Sequence, residues 1–216
     1  FQQKAIKITR EKLSKDKSLI GFVGGFWTVM RFAIGQNKEQ KTFQKFYPEY
    51  LENTLYEALK INIKLQLDAG AEIVMMFDSG IQDLDNNFFQ QEYTKLLTSI
   101  ANLYPSKIGY YVRGKQFNDI KHLLELPFAG IGIDSSMNLK NLFTDFKQGF
   151  IQGNFDEKKL LLDTQNLTEE LDKFSDNFNS FENLNGWVCG LGHGINKNTP
   201  EKNVHLFIET IRKKFK

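Results

Sequence analysis

A histidine between two glycines, Gly192-His193-Gly194, follows an apolar run near the end of the sequence and is the sharpest candidate for chemistry. An imidazole exchanges protons near neutral pH and can hydrogen-bond a carboxylate, and flanking glycines leave a ligand room to approach it. Asp78-Ser79 sets an acid beside a hydroxyl, again just past an apolar run. Adjacent residues of a strand point to opposite faces, so only one of this pair can face a given pocket. Other apolar runs end in Arg113-Gly114-Lys115, in Asp134-Ser135-Ser136 and in Gly153-Asn154-Phe155-Asp156. These residue types also simply stop strands, so no single end is decisive. Several chemistries are excluded. There is no GxSxG elbow for a serine hydrolase, and no GxGxxG or GxxxxGK[ST] loop for a nucleotide. Cys189 lies within an apolar run, as a small core residue would, and one Cys with one nearby His is too few for zinc. His122 and His205 fall on helical faces and read as surface or packing residues.

Six short apolar runs must position these groups: 18–24, 71–79, 107–112, 129–134, 149–154 and 186–192. Amphipathic stretches separate them. A helix is predicted over 1–13. A longer one has Phe43, Tyr47, Leu51, Leu55, Leu59, Ile63 and Leu67 at four-residue spacing, with Pro48 near its start and Gly70 just past its end. Further helices are predicted over about 87–101, 116–125, 138–145, 157–174 and 199–215. In the last, Thr199 is the expected cap and Pro200 the first helical residue. A helix followed by six strand–helix units implies parallel strands with helical crossovers, either an open doubly wound sheet or a (β/α)8 barrel. In both, chemistry gathers beyond the carboxyl ends of the strands.

Composition narrows the class. The chain has 216 residues, 41% hydrophobic and 25% charged, which is ordinary for a single soluble domain. Its net charge, 28 − 26 = +2, does not mark a nucleic-acid binder, and only four of the 28 cations are Arg: Arg10, Arg31, Arg113 and Arg212. A single Cys excludes an internal disulfide and suits a reducing compartment. No apolar run approaches the roughly 18 residues of a membrane span, and the first residues lack the apolar core of a signal peptide. A chain that opens on Phe1 within a helical stretch reads as the interior of something longer.

Read together, the strand ends resemble the uroporphyrinogen decarboxylase family. The segments that carry the resemblance are LIGFVGGFWT (19–28), GAEIVMMFDS (70–79), IQGNFDEKKL (151–160) and GLGHGINKNTPEKNVHLFIETIR (190–212). Their order and spacing follow the family pattern over almost the whole chain, and the last motif is long and specific. The resemblance implies a (β/α)8 TIM barrel, of which residues 1–216 would form one domain covering roughly units three to eight, with the first two missing. It implies a cytoplasmic homodimer with no cofactor or metal and a tetrapyrrole substrate. The implied reaction removes the four acetate carboxyls of uroporphyrinogen III to give coproporphyrinogen III. Carried over by position, Ser79 matches a serine that contacts substrate and His193 the histidine that contacts a substrate carboxylate; these two are the expected catalytic pair. Phe77 matches a pocket aromatic. With Phe32, Arg113 and Asp78 it makes up the expected substrate-binding set.

Three departures from the family pattern stand out. The family's tyrosine after the PWT-like motif aligns with Phe32, which has no hydroxyl to donate. Gly25-Phe26 replaces the family's Ala-Pro, and only Gly35-Gln36 remains of the glycine-rich stretch beyond. The family's N-terminal part, with its substrate-binding arginines and its aspartate for the pyrrole N–H groups, has no counterpart here. A substrate with eight carboxylates needs cations, and only Arg31 and Arg113 lie near strand ends. Two other functions are therefore expected competitors. One is a divergent, non-catalytic barrel of the same family. The other is a corrinoid-linked methyltransferase of the superfamily, which would carry a Cys in place of His193 and an upstream His-x-Cys.

Overall fold

The six apolar runs form strands that pair in the order in which they occur: β1 (Ile20–Gly24), β2 (Ile73–Asp78), β3 (Ile108–Val112), β4 (Gly130–Ile133), β5 (Phe150–Phe155) and β6 (Trp187–Leu191). Every pairing is parallel. This computed structural model describes residues 1–35, 53–146, 148–179, 181 and 184–215. A doubly wound sheet reverses its strand order at a switch point, whereas a barrel continues in one direction. The unbroken order therefore identifies six consecutive units of a (β/α)8 barrel and decides between the two architectures. Register aligns the carboxyl ends: Gly24 lies beside Phe77, Asp78 beside Val112, Val112 beside Ile133, and Phe155 beside Leu191.

Alternation along the strands separates two faces. On β2, Val74 and Met76 are fully buried in the main core, and Asp78 points the same way. Met75 and Phe77 face the other side, the lumen. There Met75 and the ring of Phe150 occupy space that a side chain at Gly109 or Gly130 would fill. The lumen face is less covered towards the ends of the sheet, where Phe22 of β1 is 65% exposed. The backbone of Phe22 is nonetheless satisfied. Gln66, itself buried, accepts from its N–H at 3.0 Å and donates to its carbonyl at 2.9 Å.

Helices among the described residues include α1 (Gln2–Lys12), α2 (Phe26–Ile34), α3 (Tyr56–Asp68), α4 (Thr94–Leu103), α5 (Phe117–Ile120), α6 (Leu139–Asp145), α7 (Thr164–Asp176) and α8 (Glu201–Lys214). Most fall where the sequence predicts them. Gly70 follows α3 as expected, with its N–H on the Leu67 carbonyl. Phe43, Tyr47, Pro48 and Leu51 lie outside the described residues. At α8 the expectation shifts by one residue. Pro200 is the cap and Glu201 the first helical residue, while the Thr199 hydroxyl is buried and finds no hydrogen-bond partner among the described residues. The helix expected over 87–101 is interrupted: Asn86–Phe88 leads into a π turn, Phe89–Tyr93, before α4 begins.

α2 does not follow from the sequence pattern. Its sequence, FWTVMRFAI, is apolar nearly all round and rich in aromatic and β-branched residues, so GGFWT reads locally as the end of a strand. Burial overrides that preference. Phe26, Trp27 and Met30 are essentially inaccessible, and burying each such side chain contributes roughly 1.5–3 kcal/mol. The helix has no capping side chain of its own; its cap comes from elsewhere in the chain, as described below.

At α7, Glu170 sits between Lys159, from the 3-10 turn Glu157–Leu161, and Lys173 one turn along the helix. The hydrogen bond from Lys159, and next that from Lys173, lowers its carboxyl to about 2. A depressed acid pKa stabilises the fold above the unfolded value, 4.5 here, and that stabilisation is lost as pH falls towards the folded value. Denaturant midpoints measured against pH should therefore show the advantage of wild type over Glu170→Gln fading as pH falls from about 5 to 2. A constant difference would contradict this assignment.

Candidate active site

Several of the polar strand ends serve architecture. Asp134 accepts from the N–H of Gly114 at 2.6 Å and from that of Ser136 at 2.9 Å, tying the loops after β3 and β4 together. Asn154 donates to the carbonyls of Asp134 and Met137, and Asp156 accepts from the N–H of Lys158. Arg113 is half-buried beside Tyr111.

Asp78, expected in the substrate-binding set, is held within the scaffold. It has no exposed surface and lines neither of the cavities that Ser79 borders. Its carboxylate accepts from the hydroxyls of Tyr93, Tyr110 (3.1 Å) and Thr28 (2.7 Å) and from the backbone N–H of Thr28 (3.0 Å). The Tyr93 hydroxyl in turn accepts from the N–H of Trp27 at 2.9 Å. Asp78 and Tyr93, distant in sequence, thus take the N–H groups that the first turn of α2 cannot satisfy internally. The negative charge also lies at the positive end of the helix. Gly25 makes the approach possible, since a Cβ there would lie 2.3 Å from the Asp78 carboxyl carbon. Burial is the largest influence on this carboxyl and raises its pKa, against the opposing pull of the hydroxyls. The Thr28 hydroxyl also accepts from the N–H of Gly80 at 2.9 Å, so the same cluster fixes the turn that carries Ser79.

Ser79, one residue on, leaves the core side and lines two cavities at the strand ends. The first, about 440 Å³, is walled by Phe77, Ser79, Tyr111, Ile133, Gln152, Leu191, His193 and Gly194. It brings together Phe77, Ser79 and His193. The Phe77 ring, 38% exposed, lies 5.8 Å from the ring of Tyr111 and 6.4 Å from that of Phe22. An apolar aromatic wall with a few polar groups is the usual character of a small-molecule site. The second cavity, about 250 Å³, is lined by Thr28, Arg31, Phe32, Ser79, Gly80, Gln82 and Asp83. Phe32 stands here on α2, 68% exposed. Arg113 lines neither cavity. A larger cleft of about 680 Å³ lies apart, between the loops after β4 and β5 and α7, and shares no residue with these two.

The histidine loop is held from below. The N–H of Gly192 donates to the Phe155 carbonyl at 2.7 Å, and its carbonyl accepts from the Tyr111 hydroxyl at 2.6 Å. A Cβ on Gly192 would come within 2.5 Å of the Ser135 nitrogen, so this glycine is required for close packing; Gly194 faces open space. Burial, chiefly, keeps the Tyr111 phenol protonated well above its usual range. Tyr111 and Gln152 are pocket residues that the sequence does not single out. In KIGYYV two adjacent tyrosines must point oppositely, but the pattern does not say which one faces the lumen. Burial also pushes the Cys189 thiol up to about 12, in keeping with a packing role. Among the described residues no helix is long and apolar enough to cross a membrane, and no group of three or more His, Cys, Asp and Glu is placed to hold a metal ion.

The chain is similar to known proteins over nearly its whole length. The family model described as uroporphyrinogen decarboxylase (URO-D) matches residues 1–214. Uroporphyrinogen decarboxylases of Orientia tsutsugamushi (strain Ikeda) and Campylobacter fetus subsp. fetus (strain 82-40) are 31% and 30% identical to the chain, over 96% and 97% of its length. The alignments span 64% and 63% of those relatives, so the chain covers just under two thirds of the proteins it matches. A B12-independent methionine synthase from Shewanella sp. W3-18-1, solved with selenomethionine, superposes with a TM-score of 0.65 at 9% identity. The match covers 98% of this chain and 64% of that one. A likeness at that identity concerns the fold.

Proposed function

This chain belongs to the uroporphyrinogen decarboxylase family, and we propose that it carries the carboxyl-terminal part of a site that decarboxylates the four acetates of uroporphyrinogen III. The observation that supports this reading best is the cavity in which Phe77, Ser79 and His193 meet at the strand ends. In this reading the flexible macrocycle packs on Phe77 and Tyr111. The His193 imidazole bonds a substrate carboxylate and moves protons at the reacting pyrrole carbon. The Ser79 hydroxyl orients the acetate undergoing loss of carbon dioxide, while Phe32 borders the bound substrate. No cofactor is invoked, since a protonated pyrrole can accept the electron pair that the departing carboxylate leaves. The protein would act as a cytoplasmic homodimer.

The test is conversion of uroporphyrinogen III by the full-length protein, with products separated by their number of carboxyls. Accumulation of coproporphyrinogen III is expected. No conversion, under conditions where a family member of known activity works, would favour the divergent, non-catalytic barrel.

Phe32 offers an independent check. Its ring lies on the rim of the second cavity, where a phenol would have both space and solvent. Phe32→Tyr should preserve or raise kcat/KM, because it adds a donor for a substrate carboxylate without removing apolar contact. A large loss would show that Phe32 does not stand where the family's tyrosine does.

A further inference from the structure

Arg31 is the arginine that lines a cavity shared with the proposed site. It leaves the last turn of α2 and borders the 250 Å³ cavity together with Ser79, which also lines the cavity of His193. The Arg31 side chain is 21% exposed, so it is held in place, and its guanidinium is bonded to Asp83 at the end of the 3-10 turn Ser79–Asp83. The Asp83 side chain is 50% exposed. A half-exposed carboxylate gains little from such a pair and can be exchanged for another of the same charge. A guanidinium can meet a carboxylate through two parallel hydrogen bonds, a geometry open to a ligand carboxylate, whereas Asp83 engages Arg31 through a single nitrogen. The cavity's remaining walls include polar and aromatic side chains: Thr28, Gln82 and Phe32.

We propose that this second cavity is a carboxylate subsite, in which Arg31 takes an acidic side chain of the substrate in exchange for Asp83. In the empty site Asp83 is one of the groups that hold the arginine at the cavity and balance its charge. On binding, the incoming carboxylate displaces it, and Asp83 turns to solvent. The nature of the ligand, a macrocycle with many carboxylates, rests on the decarboxylase reading; the presence of an exchangeable arginine does not. Arg31 would partly meet the need for cations created by the scarcity of arginine at the strand ends.

The experiment uses the full-length protein and uroporphyrin III, the oxidised and unreactive octacarboxylate, as a fluorescent probe. Binding is titrated for wild type, Arg31→Gln, Arg31→Lys, Asp83→Asn and the double variant Arg31→Gln/Asp83→Asn, each checked for folding by circular dichroism. Arg31→Gln should weaken binding about tenfold, with Arg31→Lys between it and wild type, because a charge-assisted hydrogen bond is lost. Asp83→Asn should tighten binding several-fold by removing the internal competitor, and this gain should vanish in the double variant. Unchanged binding in Arg31→Gln, a gain that survives in the double variant, or no binding by wild type would each overturn the proposal. Turnover of uroporphyrinogen III, measured in parallel, separates the two claims. Turnover with Arg31→Gln binding like wild type refutes the subsite and leaves the decarboxylase reading. The expected binding pattern without turnover refutes the decarboxylase reading and leaves a subsite for polycarboxylates.

Discussion

Asp78→Ala is expected to destabilise the folded protein by about 3–5 kcal/mol, at the upper end of what a single substitution does. Three hydroxyls and a helix N–H converge on this carboxylate. Alanine would leave them without an acceptor in a site that excludes water, at roughly 1–3 kcal/mol for each group that stays unsatisfied. Removing a desolvated charge offsets part of that cost. Asp78→Asn keeps one carbonyl acceptor and nearly the same volume, so its loss should be smaller. The pH dependence has a definite sign. Burial raises the folded-state pKa above the ordinary value of 3.8, so the stability Asp78 contributes is complete below that value and declines as pH rises through the folded pKa. The gap between wild type and Asp78→Ala, read from urea unfolding at several pH values, should be widest in acid. A loss below about 1 kcal/mol would mean that the cluster does not bear on folding. Because the same cluster caps α2 and holds the Ser79 turn, the variant should also displace Arg31 and Phe32.

Under the proposed decarboxylation, His193→Ala in the full-length protein should leave stability nearly unchanged and lower kcat/KM for uroporphyrinogen III by about a hundredfold or more. The imidazole is half-buried at the mouth of the 440 Å³ cavity. Its loop is fixed through the Gly192 backbone, which the substitution leaves in place. How the loss divides between kcat and KM identifies the role. A raised KM with unchanged kcat means a contact made equally to substrate and transition state, whereas a fall in kcat and kcat/KM together means one made only in the transition state. Activity within a fewfold of wild type would remove His193 from the reaction.

Much of the fold was legible along the chain, for physical reasons that are local. Short apolar runs ending in Gly, Asp or Ser, separated by stretches with helical spacing, admit little besides parallel strands and crossover helices. All six strands lie where those runs predicted. α2 was hidden because its reason for being a helix is distant. Nothing in FWTVMRFAI caps or segregates it, and the groups that hold its first turn are Asp78 and Tyr93, 50 and 66 residues away from their partners. Tyr93 itself stands in a π turn, which a regular 3.6-residue periodicity does not reveal.

The site divides along the same line. Residue types and spacing singled out His193 and the Asp78-Ser79 pair, and strand alternation required one of that pair to turn away from any pocket. Which one turned away was a tertiary matter. The carboxylate could be buried only where Gly25 left space and where tyrosines from the π turn and from β3 supplied donors. The serine was thereby left to the lumen side, 114 residues before the histidine it meets across the barrel. The choice between barrel and open sheet was tertiary too, because hydrogen-bonding order between strands leaves no mark on the composition of any one of them. Side-chain types and their spacing along the chain set which chemistry was available and that it would collect at strand ends. Only the packed structure decided which polar groups build the scaffold and which are left to meet a ligand.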